Sequence, residues 1–325
     1  MEQAGMLRRL LYEAEGLERK TASQLLGALL DGGLPELETG AALVALALRE
    51  PEEAEWCGYV DALHARQYVL PPQIATAAMP VVIPSYHGTA RGPNLVPLLA
   101  MLLAGFGVPV LVHGNLDGQG RMSTAQVFRE LGIAPCTSMA QASEALVRDC
   151  LAFVPTAVLA PGLAHLLAVR GRLGLGAGAE LLAHWLTPFR GEALHLLSAP
   201  DEEGLARIRQ RAAATGLQAL LLAATEGEAF ADSHRRPQLW HCRAGQCRML
   251  FEAEVGSGLL PSALPGGQSV PVLAGWIRDA LAGRQAIPMP LLNQLACCLH
   301  ACGYCPDMYR AKAVVATGVG HAPVL

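Results

Sequence analysis

The stretch Val108-Pro109-Val110-Leu111-Val112-His113-Gly114-Asn115-Leu116-Asp117-Gly118-Gln119-Gly120-Arg121-Met122-Ser123-Thr124-Ala125-Gln126 decides the fold. It opens on apolar, mostly β-branched residues, the composition of a buried strand. A polar, glycine-rich loop follows, and Ser123-Thr124-Ala125-Gln126 then opens a helix. In a capping box the Ser hydroxyl accepts from an exposed N–H and the Gln side chain reaches back to the cap. Strand, loop and helix N-terminus form the unit of an open α/β sheet, whose carboxyl edge is where such sheets bind ligands. That edge gathers His113, Gly114, Asn115, Arg121, Ser123 and Thr124. Helix N-termini favour anions, and Arg121 adds a positive charge. Two readings stand: an anion-binding edge, or a helix cap beside an ordinary loop histidine.

Working outward, short apolar runs predict strands at residues 81–83, 108–112, 194–197, 219–222, 239–242 and 247–251. Helical patterns lie between most of them, near residues 94–104, 123–131, 141–150, 201–215 and 270–281, and 291–302 and 306–316 follow. Strands alternating with helices predict an α/β sheet covered on both faces. Arg243-Ala244-Gly245-Gln246 reads as a hairpin tip. The first 65 or so residues read as helices. Thr21-Ala22-Ser23-Gln24 suits a capping box, Gly32-Gly33 a helix end, and Pro51 a first turn.

The chain has 325 residues and a formal net charge of −4, with 52% hydrophobic and 16% charged residues. This excludes a disordered chain and a charge-driven coiled coil. The uncharged stretches 95–112 and 151–169 approach the length of a membrane span, but prolines and glycines break both. Each reads as helix, turn and buried strand, so no membrane partner is expected. The N-terminus lacks a signal peptide's apolar run, which predicts a soluble, cytoplasmic protein. Nine cysteines in a long chain predict reduced thiols rather than a disulfide framework. Cys242, Cys247, Cys302 and Cys305 have the residue types of a zinc site, but the spacing between the halves is long, and Cys297, Cys298 and Cys302 fit an apolar helix face as small core residues. Gly174-Leu175-Gly176-Ala177-Gly178 looks superficially like a dinucleotide loop but lacks a preceding strand. Arg235-Arg236 reads as a solvated turn or the edge of an anion site.

Val112-His113-Gly114-Asn115, then Ser123-Thr124, then Phe128-Arg129-Glu130-Leu131-Gly132 resemble the anthranilate phosphoribosyltransferase family, of the glycosyltransferase family 3 fold. Val169-Arg170-Gly171-Arg172-Leu173-Gly174 resembles its Val-Arg-x-x-Leu-Gly segment, and Leu291-Leu292-Asn293 with Cys302-Gly303 resembles its closing helices. The resemblance implies an N-terminal helical domain plus a larger α/β domain with a mostly parallel central sheet, of the nucleoside phosphorylase/phosphoribosyltransferase type. The helical dimerisation domain is expected over residues 1–66 with 161–188 contributing, and the α/β domain over 77–160 and 189–325. A homodimer is implied.

The sequence also departs from the family. Where the family carries a Gly-Thr-Gly-Gly-Asp phosphate loop, this chain has Pro84-Ser85-Tyr86-His87-Gly88, and of the following motif only Asn94 is kept. Bare glycine amides approach phosphates closely, and Pro84 and Tyr86 cannot copy that. The family's metal-binding Asp-Glu pair becomes Gly227-Glu228, with Glu226 displaced by one position. Ile83-Pro84-Ser85-Tyr86-His87-Gly88 and Thr225-Glu226-Gly227-Glu228-Ala229-Phe230 resemble the YbiB branch of TrpD-like paralogues, which implies nucleic-acid binding in place of tryptophan-pathway activity. Under the enzyme reading, His113, Gly114, Asn115, Asn94, Arg121, Ser123 and Thr124 line the phosphate side of a phosphorylated sugar. Glu228 helps hold Mg²⁺, Arg170 faces the acceptor, and no catalytic residue is assigned. Under the binding reading, Arg91, Arg121, Arg170 and Arg172, with Arg8, Arg9 and Arg19, meet nucleic-acid phosphates.

Overall fold

The computed structural model describes residues 16–70, 78–118, 120–174, 182–255, 264–267 and 269–318. Arg8, Arg9 and the glycine-rich stretch from Leu175 to Gly178 lie outside them. The chain divides into two compact units, one of Met1–Val69 with Thr156–Pro188, the other of Leu70–Pro155 with Phe189–Leu325.

The first unit is helical: Arg19–Leu30, Glu36–Leu48, Glu53–His64, Thr156–Leu159 and Pro161–Leu173. Its helices cross closely because glycines lie at the crossings. A Cβ on Gly58 would meet the Arg19 carbonyl at 2.2 Å, and one on Gly162 the Leu30 carbonyl at 2.1 Å. Glu55 is fully buried. Its carboxylate accepts two bonds from Arg49, at 2.7 and 2.9 Å, and one from the Tyr59 hydroxyl at 2.6 Å, so the buried charge is paired. The expected cap at Thr21 is not formed. The helix begins two residues earlier, at Arg19, and its cap residue Glu18 makes no side-chain bond.

Among the described residues, the second unit carries nine strands: β1 (Val81–Ser85), β2 (Val110–Gly114), β3 (Leu151–Pro155), β4 (Leu194–Ala199), β5 (Ala219–Ala223), β6 (Arg235–Arg236), β7 (Leu239–Arg243), β8 (Gln246–Phe251) and β9 (Glu254–Val255). Seven form one sheet in the order β3-β2-β1-β4-β5-β7-β8, parallel from β3 to β5 and antiparallel at β7 and β8. This is the expected mostly parallel α/β architecture. Every residue of β1 to β4 is buried, as strands covered on both faces require. The stretch 95–112 is a helix (Val96–Gly105), a turn and then β2. Residues 151–169 run the other way, with β3 first and two helices after it, because the β-branched and aromatic residues precede Pro161. Among the described residues, no helix is long and apolar enough to cross a membrane.

Two expectations about cysteine are corrected. Cys242 and Cys247 face each other across the β7–β8 hairpin and form a disulfide, where only reduced thiols were expected. They are therefore not zinc ligands. Cys297, Cys298, Cys302 and Cys305 are buried core residues.

Candidate functional site

β1 and β2 run side by side and in register, with Pro84 opposite His113 and Ser85 opposite Gly114. A proline is tolerated here because β1 pairs with β4 only at Val81 and Val82, so the strand has one neighbour beyond that point. His113 and Gly114 belong to β2 itself rather than to the loop after it. His113 is fully buried, and its Nδ1 shares a 2.9 Å hydrogen bond with the Tyr86 hydroxyl. Gly114 is required by close approach, since a Cβ there would lie 1.7 Å from the Ser85 carbonyl oxygen. Asn115 donates to the Tyr86 carbonyl at 3.4 Å.

The helix Thr124–Glu130 starts with the complete capping box expected of Ser123 and Gln126. Thr124 sits one residue inside it. Its hydroxyl accepts from Ser85 Oγ at 2.7 Å and from Asn94 Nδ2 at 3.0 Å. Asn94 also donates to the Met122 carbonyl and accepts from the Val96 amide at 3.1 Å. Ser85, Asn94 and Thr124 thus form a buried polar network joining the end of β1 to two helix starts. Hydrogen bonds made this way are strong and costly to break.

The loop after β1 is occupied by a single turn. Thr225 and Glu228 exchange backbone bonds at 3.1 and 3.0 Å. Between them Glu226 and Gly227 both have positive φ, +54° and +96°. The turn directs two carboxyl groups at the loop. Glu228 Oε1 accepts from the amides of His87, at 3.0 Å, and Gly88, at 2.6 Å. The Glu226 carboxylate accepts from Ala90 at 2.6 Å, Gly92 at 2.9 Å and Arg91 at 3.1 Å. The amide between the two sets, Thr89, bonds to the Met122 carbonyl at 3.0 Å. Arg121 clasps both segments, donating to the Gly88 and Glu226 carbonyls, each at 3.0 Å. Its guanidinium also lies 3.5 Å from the Glu226 carboxylate.

The two carboxyl groups differ electrostatically. Glu228 is fully buried, and burial raises its pKa above the ordinary value, partly offset by the Ser85 hydroxyl, the Gly88 and His87 amides and the His87 imidazole. For Glu226, burial also opposes ionisation, but the Ala90, Gly92 and Arg91 amides with Arg121 outweigh it and hold the pKa below the usual value.

This arrangement bears on the metal expectation. The Glu226 carboxylate and Glu228 Oε1 accept from backbone amides, whereas Glu228 Oε2 is buried without a hydrogen-bond partner, and Mg²⁺ is usually held by one or two carboxylates together with substrate phosphates. Among the described residues no group of three or more His, Cys, Asp and Glu side chains fits a metal ion. Arg121, Asn94, Ser123 and Thr124 stand together at the sheet's carboxyl edge, but bonded to the protein itself. Arg170 belongs to the helical unit, on Pro161–Leu173. Of the other basic candidates, Arg19 is paired with Asp61 at 2.6 Å. Arg235 and Arg236 form β6 rather than a turn, and pair with Asp232 and Glu254 at 3.6 and 2.9 Å. Sequence reasoning missed Glu226 as the principal residue of the loop. The signal was its place before a glycine in Glu226-Gly227, a turn pair with a carboxylate attached.

No protein-family model matches the chain. The uncharacterized protein YbiB of Escherichia coli (strain K12) is 39% identical over 293 residues, covering 89% of this chain and 90% of that one. The anthranilate phosphoribosyltransferase of Desulforudis audaxviator is 29% identical over 184 residues, 55% of this chain and 51% of that enzyme. This chain therefore spans about half of that enzyme's length. Among solved structures, the anthranilate phosphoribosyltransferase (TrpD) of Thermus thermophilus superposes with a TM-score of 0.79 at 21% identity, covering 98% of this chain and 95% of that one. The Saccharomyces cerevisiae enzyme, in complex with PRPP and Mg, superposes with a TM-score of 0.76 at 14% identity, covering 99% and 94%. At these identities the likeness is one of fold.

Proposed function

Because the chain belongs to the TrpD-like phosphoribosyltransferase family, on the YbiB branch, we propose that it is a degenerate member. It keeps the scaffold but does not transfer phosphoribosyl groups to anthranilate. The observation that carries this reading is the filling of the loop after β1. The amides of His87, Gly88, Ala90, Arg91 and Gly92 are all taken by Glu228 and Glu226. Transfer from an activated ribose needs donors held open toward the leaving pyrophosphate, where its charge develops. Here those donors face carboxyl groups of the same chain. Calorimetric titration of phosphoribosyl pyrophosphate with Mg²⁺ tests the reading, beside an assay of anthranilate-dependent pyrophosphate release. No heat of binding and no release are expected. Release that is lost in His113→Ala would overturn it.

A second reading, nucleic-acid binding, is favoured by the surroundings of the β7–β8 hairpin. Arg243 and Arg248 are exposed on the hairpin, and burial, followed by the nearby His300, Arg243 and Arg248, pushes the His241 pKa down to about 4. Arg209 stacks 4.2 Å from the centre of the Trp240 ring, and Lys312 lies 4.7 Å from that of Phe251. Cationic and aromatic groups together suit a phosphate backbone with stacked bases. Anisotropy with a labelled DNA oligonucleotide should show affinity falling steeply with salt and weakening in an Arg243→Ala/Arg248→Ala double variant. Unchanged binding in that variant would move the interface elsewhere.

A further inference from the structure

We propose that Glu226 is a tethered ligand. Its carboxylate fills an anion cradle made by the Ala90, Arg91 and Gly92 amides and Arg121, and withdrawing that side chain lets the cradle take an external oxyanion of the phosphate class. The proposal rests on the degenerate-site reading and explains how the site is kept closed.

Three consecutive backbone N–H groups converge on one carboxylate, at 2.6 to 3.2 Å. Successive amides turned inward make a concave anion site without any side chain. A loop has no need of that convergence unless an anion fills it, because its amides are otherwise free to bond water. The chain also accepts an unfavourable backbone to deliver the anion. Glu226 has a φ of +54°, in a region that residues with a Cβ rarely enter. Such a conformation persists only where its surroundings hold it. Arg121 does the holding, through the Glu226 carbonyl, while its guanidinium supplies the cradle's positive charge. The Glu226 side chain is 21% exposed, so the cradle opens to solvent once the carboxylate is gone.

The test is calorimetry with inorganic pyrophosphate, without metal, on the wild type, Glu226→Gly and Glu226→Gly/Arg121→Ala. Glycine suits the positive φ, so that variant removes the carboxylate and relieves the backbone together. Pyrophosphate is expected to bind Glu226→Gly at least about tenfold more tightly than wild type, a difference of about 1.4 kcal/mol. Binding should weaken with salt and be lost in the double variant. Phosphate should likewise raise the melting temperature of Glu226→Gly and leave the wild type unmoved. Equal affinity in wild type and Glu226→Gly, or no binding by a Glu226→Gly protein that melts cooperatively, overturns the proposal. If Glu226→Gly does not fold, Glu226→Gln carries the same comparison: it keeps the side-chain volume and loses the charge. It is then expected to bind more tightly than wild type, and equal affinity overturns the proposal. Turnover of phosphoribosyl pyrophosphate by the wild type would instead sink the degenerate-site reading, so the two failures are distinguishable.

Discussion

Glu226 and Glu228, two residues apart on one turn, should answer pH in opposite directions. Glu228 has a folded pKa above its ordinary value of 4.5, so the folded state holds its proton more tightly than the unfolded chain does. Its contribution to stability is full below pH 4.5 and declines as pH rises toward the folded value, by about 1.4 kcal/mol for each unit crossed. Glu228→Gln keeps an acceptor for the His87 and Gly88 amides and removes that decline. Denaturant titrations at several pH values should show the variant gaining on wild type from pH 5 upward, and a constant difference would refute this. Glu226 contributes stability above its ordinary value of 4.5 and loses it as pH falls through its lowered folded pKa. At Gly114, a Cβ would lie 1.7 Å from the Ser85 carbonyl oxygen. Gly114→Ala should therefore cost about 3 kcal/mol or more by overpacking, read as a shifted denaturation midpoint. The sequence shows the Ser123–Gln126 cap because its residue types are specific to that job. It hides the role of Asn94, Arg121 and Thr124, because the same side chains serve a phosphate or a backbone carbonyl equally well and only geometry separates the two.

At the scale of elements, most strands of the large sheet were legible as short apolar runs, and the hairpin tip appears as expected, with Ala244 and Gly245 both at positive φ. β3 was not separated from the helix behind it, since Leu151–Pro155 runs directly into Thr156–Leu159 without a polar break. Thr21 failed as a cap because capping residues also occur inside helices, and nothing local marks Arg19 as the start. The helix Thr124–Glu130 depends on its cap, being only 7 residues long. Ser123→Ala should cost about 1 kcal/mol, measurable by denaturant unfolding. The disulfide closes a short loop, with a sequence separation of 5. Reducing it should lower stability by about 2 kcal/mol in the loop-entropy account without unfolding the sheet, since β7 is also paired with β5. Loss of cooperative unfolding on reduction would contradict this.

At the scale of the whole molecule, the overall fold was legible as an alternation of strands and helices and as a family resemblance, whereas partners are not. The helical unit exposes Leu37 at 84%, Leu48 at 81% and Leu173 at 46%, apolar side chains that contact with a second copy would cover. We expect a two-fold dimer through that unit, and a monomeric mass by light scattering at micromolar concentration would reject it. The division of the chain bears on its synthesis. The helical unit is discontinuous, drawing on Met1–Val69 and then on Thr156–Pro188. The residues between them supply β1, β2 and β3, which themselves await β4. On a ribosome, therefore, the first segment to emerge is not the first that can be completed. The early helices wait unpaired with their later partners while the first three strands appear, and a nascent chain stopped near residue 155 holds an unfinished portion of each unit and the whole of neither.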